Sequence, residues 1–238
     1  MPRGSGAPAH IHCVVTRMTM RLLFLALALL ASERPRPVSL APGELNPINV
    51  VVAASSYRGQ AAVRVRGRLA AGSPAGGEGL AVIPGPSFEN GSIEVDVAGL
   101  LEEKARADAR GFIGLAFDVA PNSERFKSFY IRPTNGRAPD QLRRNHSTQY
   151  VSFPEFPWDR LRKEEPGVYE SYVDLDASAW THLRVQVDGD KASLYVNRAE
   201  QPALIVNDLK HTVRGGAIAL WIGAGTDGYF ANLSVSPR

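Results

Sequence analysis

Cysteine is nearly absent. The 238 residues include one, Cys13, so no intrachain disulfide can form, and metal sites built from four cysteines, or from two cysteines and two histidines, are excluded. Long apolar runs are missing as well: Leu22–Ala31 spans ten residues, too few to cross a bilayer. No stretch of any length repeats apolar residues at helical spacing. An excess of one charge is also lacking once its location is considered. The formal net charge is +3, yet residues 1–37 hold five Arg and one Glu, leaving 22 basic against 23 acidic residues in 38–238. A body near −1 gives a nucleic-acid or anionic-membrane partner little electrostatic support.

The N-terminal 37 residues read as a leader. Met20-Arg21 precedes the apolar run 22–31, which ends in the small residues Ala31-Ser32. A basic start, a short apolar core and small residues at its end describe a secretory signal peptide. Pro35 and Pro37 follow at once, which argues against a buried core helix. Residues 1–17 do not resemble the basic start of such a peptide, so Met18 or Met20 is a candidate true start. The expected location is secreted or periplasmic, with no stable membrane insertion after cleavage.

What the body does contain is alternation. Ile93, Val95 and Val97 face one way and Ser92, Glu94 and Asp96 the other, as in a half-buried strand. Ala61–Gly67 and Thr181–Val187 repeat the pattern. Tyr57-Arg-Gly-Gln60 and Asp188-Gly189-Asp190 supply turns, glycine taking positive φ without steric cost. Further strands fall at 48–54, 80–83, 111–119, 125–132, 191–197, 202–206, 217–222 and 229–235. Leu100–Arg110 is the single plausible helical turn, and a solvated loop explains it equally well. Ten to twelve short strands predict an all-β sandwich or barrel, with one domain over 38–238.

The order of these strands resembles the concanavalin A-like lectin/glucanase superfamily, which includes laminin-G-like domains. The likeness is carried by Phe88–Val97, Gly111–Phe117, Trp180–Val187, Leu194–Asn197 and Gly228–Val235. It implies a two-sheet antiparallel jelly-roll β-sandwich, here with a long polar insertion. Exported members that resemble the 3-keto-disaccharide hydrolase group make a glycoside-acting enzyme one implied activity. A laminin-G-like protein-interaction module is another.

Glycoside hydrolysis needs a carboxylate pair. Members of the superfamily that resemble laminarinases carry Glu-x-Asp-x-Glu, but here Glu94-Val-Asp96 is followed by Val97-Ala98-Gly99, so the last acid is missing. These two carboxylates, and His182 beside them in pattern, read as solvent-facing strand residues. Asp174 and Asp176, two apart, would suit a Ca2+ if they shared a strand face, although a strand end explains them as well. No other cofactor is expected, and His146, His182 and His211 show no ligand spacing.

The stretch Phe129–Asp176 differs from the rest. It concentrates Arg132, Asn135, Arg143, Asn145, His146, Tyr150, Trp158 and Tyr172, and Trp221 alternates away from Ile218, Leu220 and Ile222. Sugar recognition uses this mixture: amide and guanidinium groups for hydroxyls, aromatic faces for the apolar side of a pyranose. A folded loop would also use Arg and Asn to satisfy its own backbone. The expectation is an exported carbohydrate-binding domain, its saccharide held through residues 130–172. Catalysis stays open, with His146 or Tyr150 as the candidate base.

Overall fold

The computed structural model describes residues 35–68, 78–212 and 214–238; the predicted signal peptide lies outside these. Fifteen strands follow one another: β1 (Arg36–Pro37), β2 (Asn46–Ile48), β3 (Val50–Tyr57), β4 (Gln60–Gly67), β5 (Gly79–Phe88), β6 (Gly91–Leu101), β7 (Ile113–Val119) and β8 (Phe126–Ile131). After a 3-10 turn at Pro133–Asn135 come α1 (Gln141–Asn145), β9 (Thr148–Phe153), α2 (Trp158–Glu164) and β10 (Glu170–Ser171). The chain closes with β11 (Thr181–Asp188), β12 (Lys191–Val196), β13 (Leu204–Val206), β14 (Gly216–Ile222) and β15 (Thr226–Pro237).

Pairing produces two antiparallel sheets. Sheet A runs β13-β12-β11-β6-β15-β4-β3, with β1 added to β15, and sheet B runs β10-β9-β8-β7-β14-β5-β2. The all-β sandwich expected from the alternating pattern, and the two-sheet antiparallel jelly roll implied by the family resemblance, are the architecture observed. Its strand pattern starts at Arg36, two residues before the predicted boundary at 38.

The core lies where the inward sets meet. Ile93, Val95 and Val97 of β6 and Leu183 and Val185 of β11 are fully buried, directly paired in register. Opposite them stand Ile113, Leu115 and Phe117 of β7, Phe129 and Ile131 of β8, and Leu220 and Ile222 of β14. Each such side chain contributes roughly 1.5–3 kcal/mol when buried. The predicted turns also form. Arg58 and Gly59 take positive φ between β3 and β4, and Gly189 does so between β11 and β12.

The polar stretch is more integrated than an inserted loop. It supplies β9 and β10, two of the seven strands of sheet B, along with both α-helices. Residues 102–110 form turns, not a helix. α1 has a local start signal: Asp140 caps it by accepting from the Arg143 amide at 2.7 Å, as an N-cap should. At five and seven residues the helices are too short to display helical periodicity. Among the described residues no helix is long and apolar enough to cross a membrane.

Candidate functional site

On β14 the odd and even residues divide between two environments. Ile218, Leu220 and Ile222 join the central core, whereas Ala219 and Trp221 belong to a second cluster on the other face of sheet B. Register then carries Trp221 across the sheet. Leu80 of β5 pairs with Trp221, Trp221 with Gly114, Gly114 with Tyr130, Tyr130 with Gln149, and Gln149 with Glu170. Six strands thus place one row of side chains on the outer face. The adjacent row, Val82, Ala219, Ala116, Ser128 and Val151, is made of small residues and forms a low floor beside it.

Trp221 and Tyr130 stack although a strand separates them, with ring centroids 4.4 Å apart and planes at 25°. Gly114 makes this possible, because a Cβ there would collide with the Phe129 carbonyl oxygen and crowd Tyr130. Phe112 meets the Tyr130 ring edge-on at 6.2 Å. Arg132 lies over Tyr130 at 5.1 Å. Its Nη2 donates to the Tyr130 hydroxyl at 3.1 Å and to Gln149 Oε1 at 3.0 Å, and its Nη1 to the His146 carbonyl at 2.9 Å.

The two ends of the row differ in chemistry. At the β10 end Glu170 is 4 % exposed in its side chain. Arg162 Nη2 donates to its Oε2 at 2.6 Å and Nε reaches both oxygens at 3.1 Å. His146 Nδ1 stands 2.7 Å from the same Oε2, off the line of a closed hydrogen bond. Burial first, then Arg162 and Arg132, hold the imidazole below its usual pKa against the opposing pull of Glu170. At the β5 end, Glu78 Oε2 and Trp221 Nε1 are both buried without a closed hydrogen bond. Burial pushes the Glu78 carboxyl up to about 8, the Trp221 indole offsetting part of the shift. Buried polar atoms left unpaired are costly and need an explanation.

The predicted site residues separate into groups. Arg132, Asn135, Arg143 and His146 come together, since Asn135 Nδ2 donates to the His146 carbonyl at 3.1 Å and Asn135 Oδ1 accepts from Arg143 at 3.3 Å. Trp221 joins them through Tyr130. Tyr150 does not: it points into the core between Phe129 and Tyr169, and its hydroxyl accepts from the Lys210 amide. That placement corrects both of its proposed roles, as ligand contact and as base. Asn145 is exposed on α1, accepting from Gln141 at 2.8 Å. Trp158 and Tyr172 are exposed beneath Arg162 and Arg144, at 4.8 and 5.0 Å.

Residues that sequence reasoning missed are Glu78, Phe112, Tyr130, Gln149, Arg162 and Glu170. No alternation in the wholly buried β8 marks Tyr130, and only long-range pairing brings Gln149 and Glu170 beside it.

Two other expectations changed. His182 is not simply exposed: on the outer face of sheet A it lies 2.8 Å from Asp96 and 3.3 Å from Glu94. Asp174 and Asp176 meet a cation already in the chain, the Arg137 guanidinium, at 2.9 and 3.3 Å. Among the described residues no group of three or more His, Cys, Asp or Glu is placed to hold a metal ion. A groove of about 420 Å³ opens at the far end of sheet B beside Phe126, Ser152 and His211, and shares no residue with the Arg132 cluster. Its buried charges are already matched, Lys127 Nζ lying 2.6 Å from Asp118.

No family model and no curated protein sequence matches the chain. Among solved structures it is similar to a Bacillus subtilis protein of unknown function with a galectin-like fold, at 10% identity over 82% of this chain and 90% of that one, TM-score 0.50. The carbohydrate-binding module CBM66 from Bacillus subtilis matches at 15% identity over 80% and 93%, TM-score 0.49. A Bacillus licheniformis beta-glucanase matches at 13% identity over 86% and 92%, TM-score 0.43. These likenesses are of fold: the chain has a two-sheet antiparallel jelly-roll fold like that of the galectin-like protein.

Proposed function

We propose that the chain is an exported carbohydrate-binding jelly-roll protein that takes its saccharide on the outer face of sheet B. The observation that carries this reading is the buried in-register row from Leu80 to Glu170, with Trp221 and Tyr130 stacked at its centre, which backs a half-buried rim of Phe112, Arg110, Arg143 and His146 where a sugar can reach it. Aromatic faces suit the C–H side of a sugar ring. Behind them the Trp221 indole faces the buried Glu78 carboxyl, and sugar hydroxyls both donate and accept. Calorimetric titration against a panel of neutral and acidic oligosaccharides tests the reading. Binding by the native chain that disappears in Trp221→Ala supports it, and a panel that yields no binding sinks it.

A second reading, proton transfer by His146, rests on a specific arrangement. Glu170 stands at Nδ1, as an orienting carboxylate stands behind a general base, and the lowered pKa favours the neutral imidazole that a base requires. Conversion of a bound sugar that is lost in His146→Ala while binding persists would establish it. Glu78 and Glu170 are not the carboxylate pair of a glycosidase. Five strand intervals of about 4.8 Å put the β5 and β10 backbones roughly 24 Å apart along the sheet, against about 5–9.5 Å for such pairs.

A further inference from the structure

Three guanidinium groups at the Glu170 end of the row donate only to neutral acceptors. Arg132 donates to a carbonyl, a phenol and an amide oxygen. Arg143 reaches Asn135 Oδ1 at 3.3 and 3.4 Å and the Thr134 carbonyl at 3.4 Å, all long for charge-assisted bonds. Arg110 donates to the carbonyls of Ala107 and Ala109 at 2.7 and 2.6 Å. They form one cluster: Thr134 bonds through its amide and hydroxyl to the Arg110 carbonyl, and Asn135 shares the His146 carbonyl with Arg132.

Their charges act on one another. Burial lowers the pKa of Arg132, with Arg162 and Arg110 adding to the shift; burial lowers that of Arg110, with Arg143 adding and Asp108 opposing. The acids nearest this group are already engaged, Glu170 by Arg162 and Asp108 by Arg106. Elsewhere arginines meet carboxylates, as in Arg64 with Asp227, Arg137 with Asp174 and Arg160 with Glu164. Arg110, Arg132 and Arg143 thus concentrate positive charge in a body whose net charge is near −1.

We propose that the ligand of this face is an anionic saccharide, its carboxylate or sulfate seated against half-buried Arg110 and Arg143 with buried Arg132 behind them, while a ring packs on the half-buried Phe112 beside Tyr130. The proposal rests on the saccharide reading above and narrows it. Arg132, 5 % exposed, supplies charge from a low-dielectric position, where attraction is stronger than in water. Half-buried Arg110 and Arg143 keep donors that can turn to a planar anion in the bidentate manner arginine favours. A nucleic acid fits less well, since its phosphates call for an extended basic stripe and this cluster is confined to one end of one face.

The test is calorimetric titration of the full-length chain with three series of equal length: oligogalacturonates, sulfated galactan oligosaccharides and neutral xylo-oligosaccharides. At least one anionic series should bind about tenfold more tightly than the neutral one, the scale of one charge-assisted contact. The preference should shrink with added salt. Arg143→Gln and Arg110→Gln should bring anionic affinity down toward the neutral value, with circular dichroism confirming the fold. The arm that binds identifies the anionic group. Equal affinity for charged and neutral sugars, or a preference that survives both substitutions, overturns the proposal and leaves the saccharide reading standing. Absence of binding in all three series overturns both.

Discussion

The outer faces of the two sheets arise from the same alternation of residues but differ in how their polar groups are matched. On sheet A, Arg64 forks onto both oxygens of Asp227 at 2.7 and 2.6 Å. His182 sits between Asp96 and Glu94, and Asn232 donates to the other Asp96 oxygen at 2.7 Å. Tyr57 stacks on Tyr229 at 4.7 Å, its hydroxyl donating to the Ser178 carbonyl. On sheet B, the guanidinium groups of Arg110, Arg132 and Arg143 donate to no carboxylate. A face whose groups satisfy one another has little left for a ligand. A face with unmatched charge gains stability when a ligand supplies the partners.

The strongest way to break this contrast is Trp221→Ala. Removing a buried aromatic costs about 3–5 kcal/mol, so denaturant unfolding should shift by that amount and saccharide binding should vanish. Glu78→Gln probes the buried carboxyl. The folded-state pKa near 8 lies above the ordinary 4.5, so the native chain retains a proton that the unfolded chain loses. The contribution of Glu78 to stability is therefore fully present below pH 4.5 and is lost as pH rises through 8. The glutamine variant should gain on the order of 3 kcal/mol over the native chain at about pH 9 and show little difference at about pH 5, measured by urea titration at both values. Equal gains at the two pH values would show that Glu78 is not buried as a neutral acid.

Gly114→Ala tests the aromatic stack. The added methyl meets the Phe129 carbonyl and Tyr130, and overpacking of this kind costs about 2 kcal/mol. It should also weaken near-ultraviolet dichroism from the Trp221–Tyr130 pair. The smallest effect is expected on sheet A. Asp227→Asn breaks a partly exposed ion pair and should cost below about 1 kcal/mol, with saccharide binding unaltered. A large binding loss there would remove the distinction between the faces.

Sheet A was legible from the chain because one of its faces meets water. Ser92–Ala98 and Thr181–Val187 show polar and apolar residues in turn, and the pattern maps onto burial almost residue by residue. Sheet B was less so. All seven residues of β7 and all six of β8 are buried, so Gly114, Ala116, Ser128 and Tyr130 do not announce an outer face. In β9 the same loss of contrast hid a strand within a polar stretch and left Tyr150, a core residue, looking like a ligand contact. Trp221 escaped this because its neighbours Leu220 and Ile222 are clearly apolar core residues.

The sequence by itself determined the alternation that makes strands, the glycine turns at 59 and 189, and which sides of β6, β11 and β14 face the core. These are local properties with a period of two, set by backbone geometry within a few residues. It also located the concentration of arginine and amide side chains after residue 130. Only the tertiary structure decided that Leu80, Trp221, Gly114, Tyr130, Gln149 and Glu170 form one row, and that Arg110, Arg132 and Arg143 cluster with no carboxylate bonded to their guanidinium groups. Both depend on which distant strands pair and in what register. That register is set by the packing of whole sheets, and no short-range pattern encodes it.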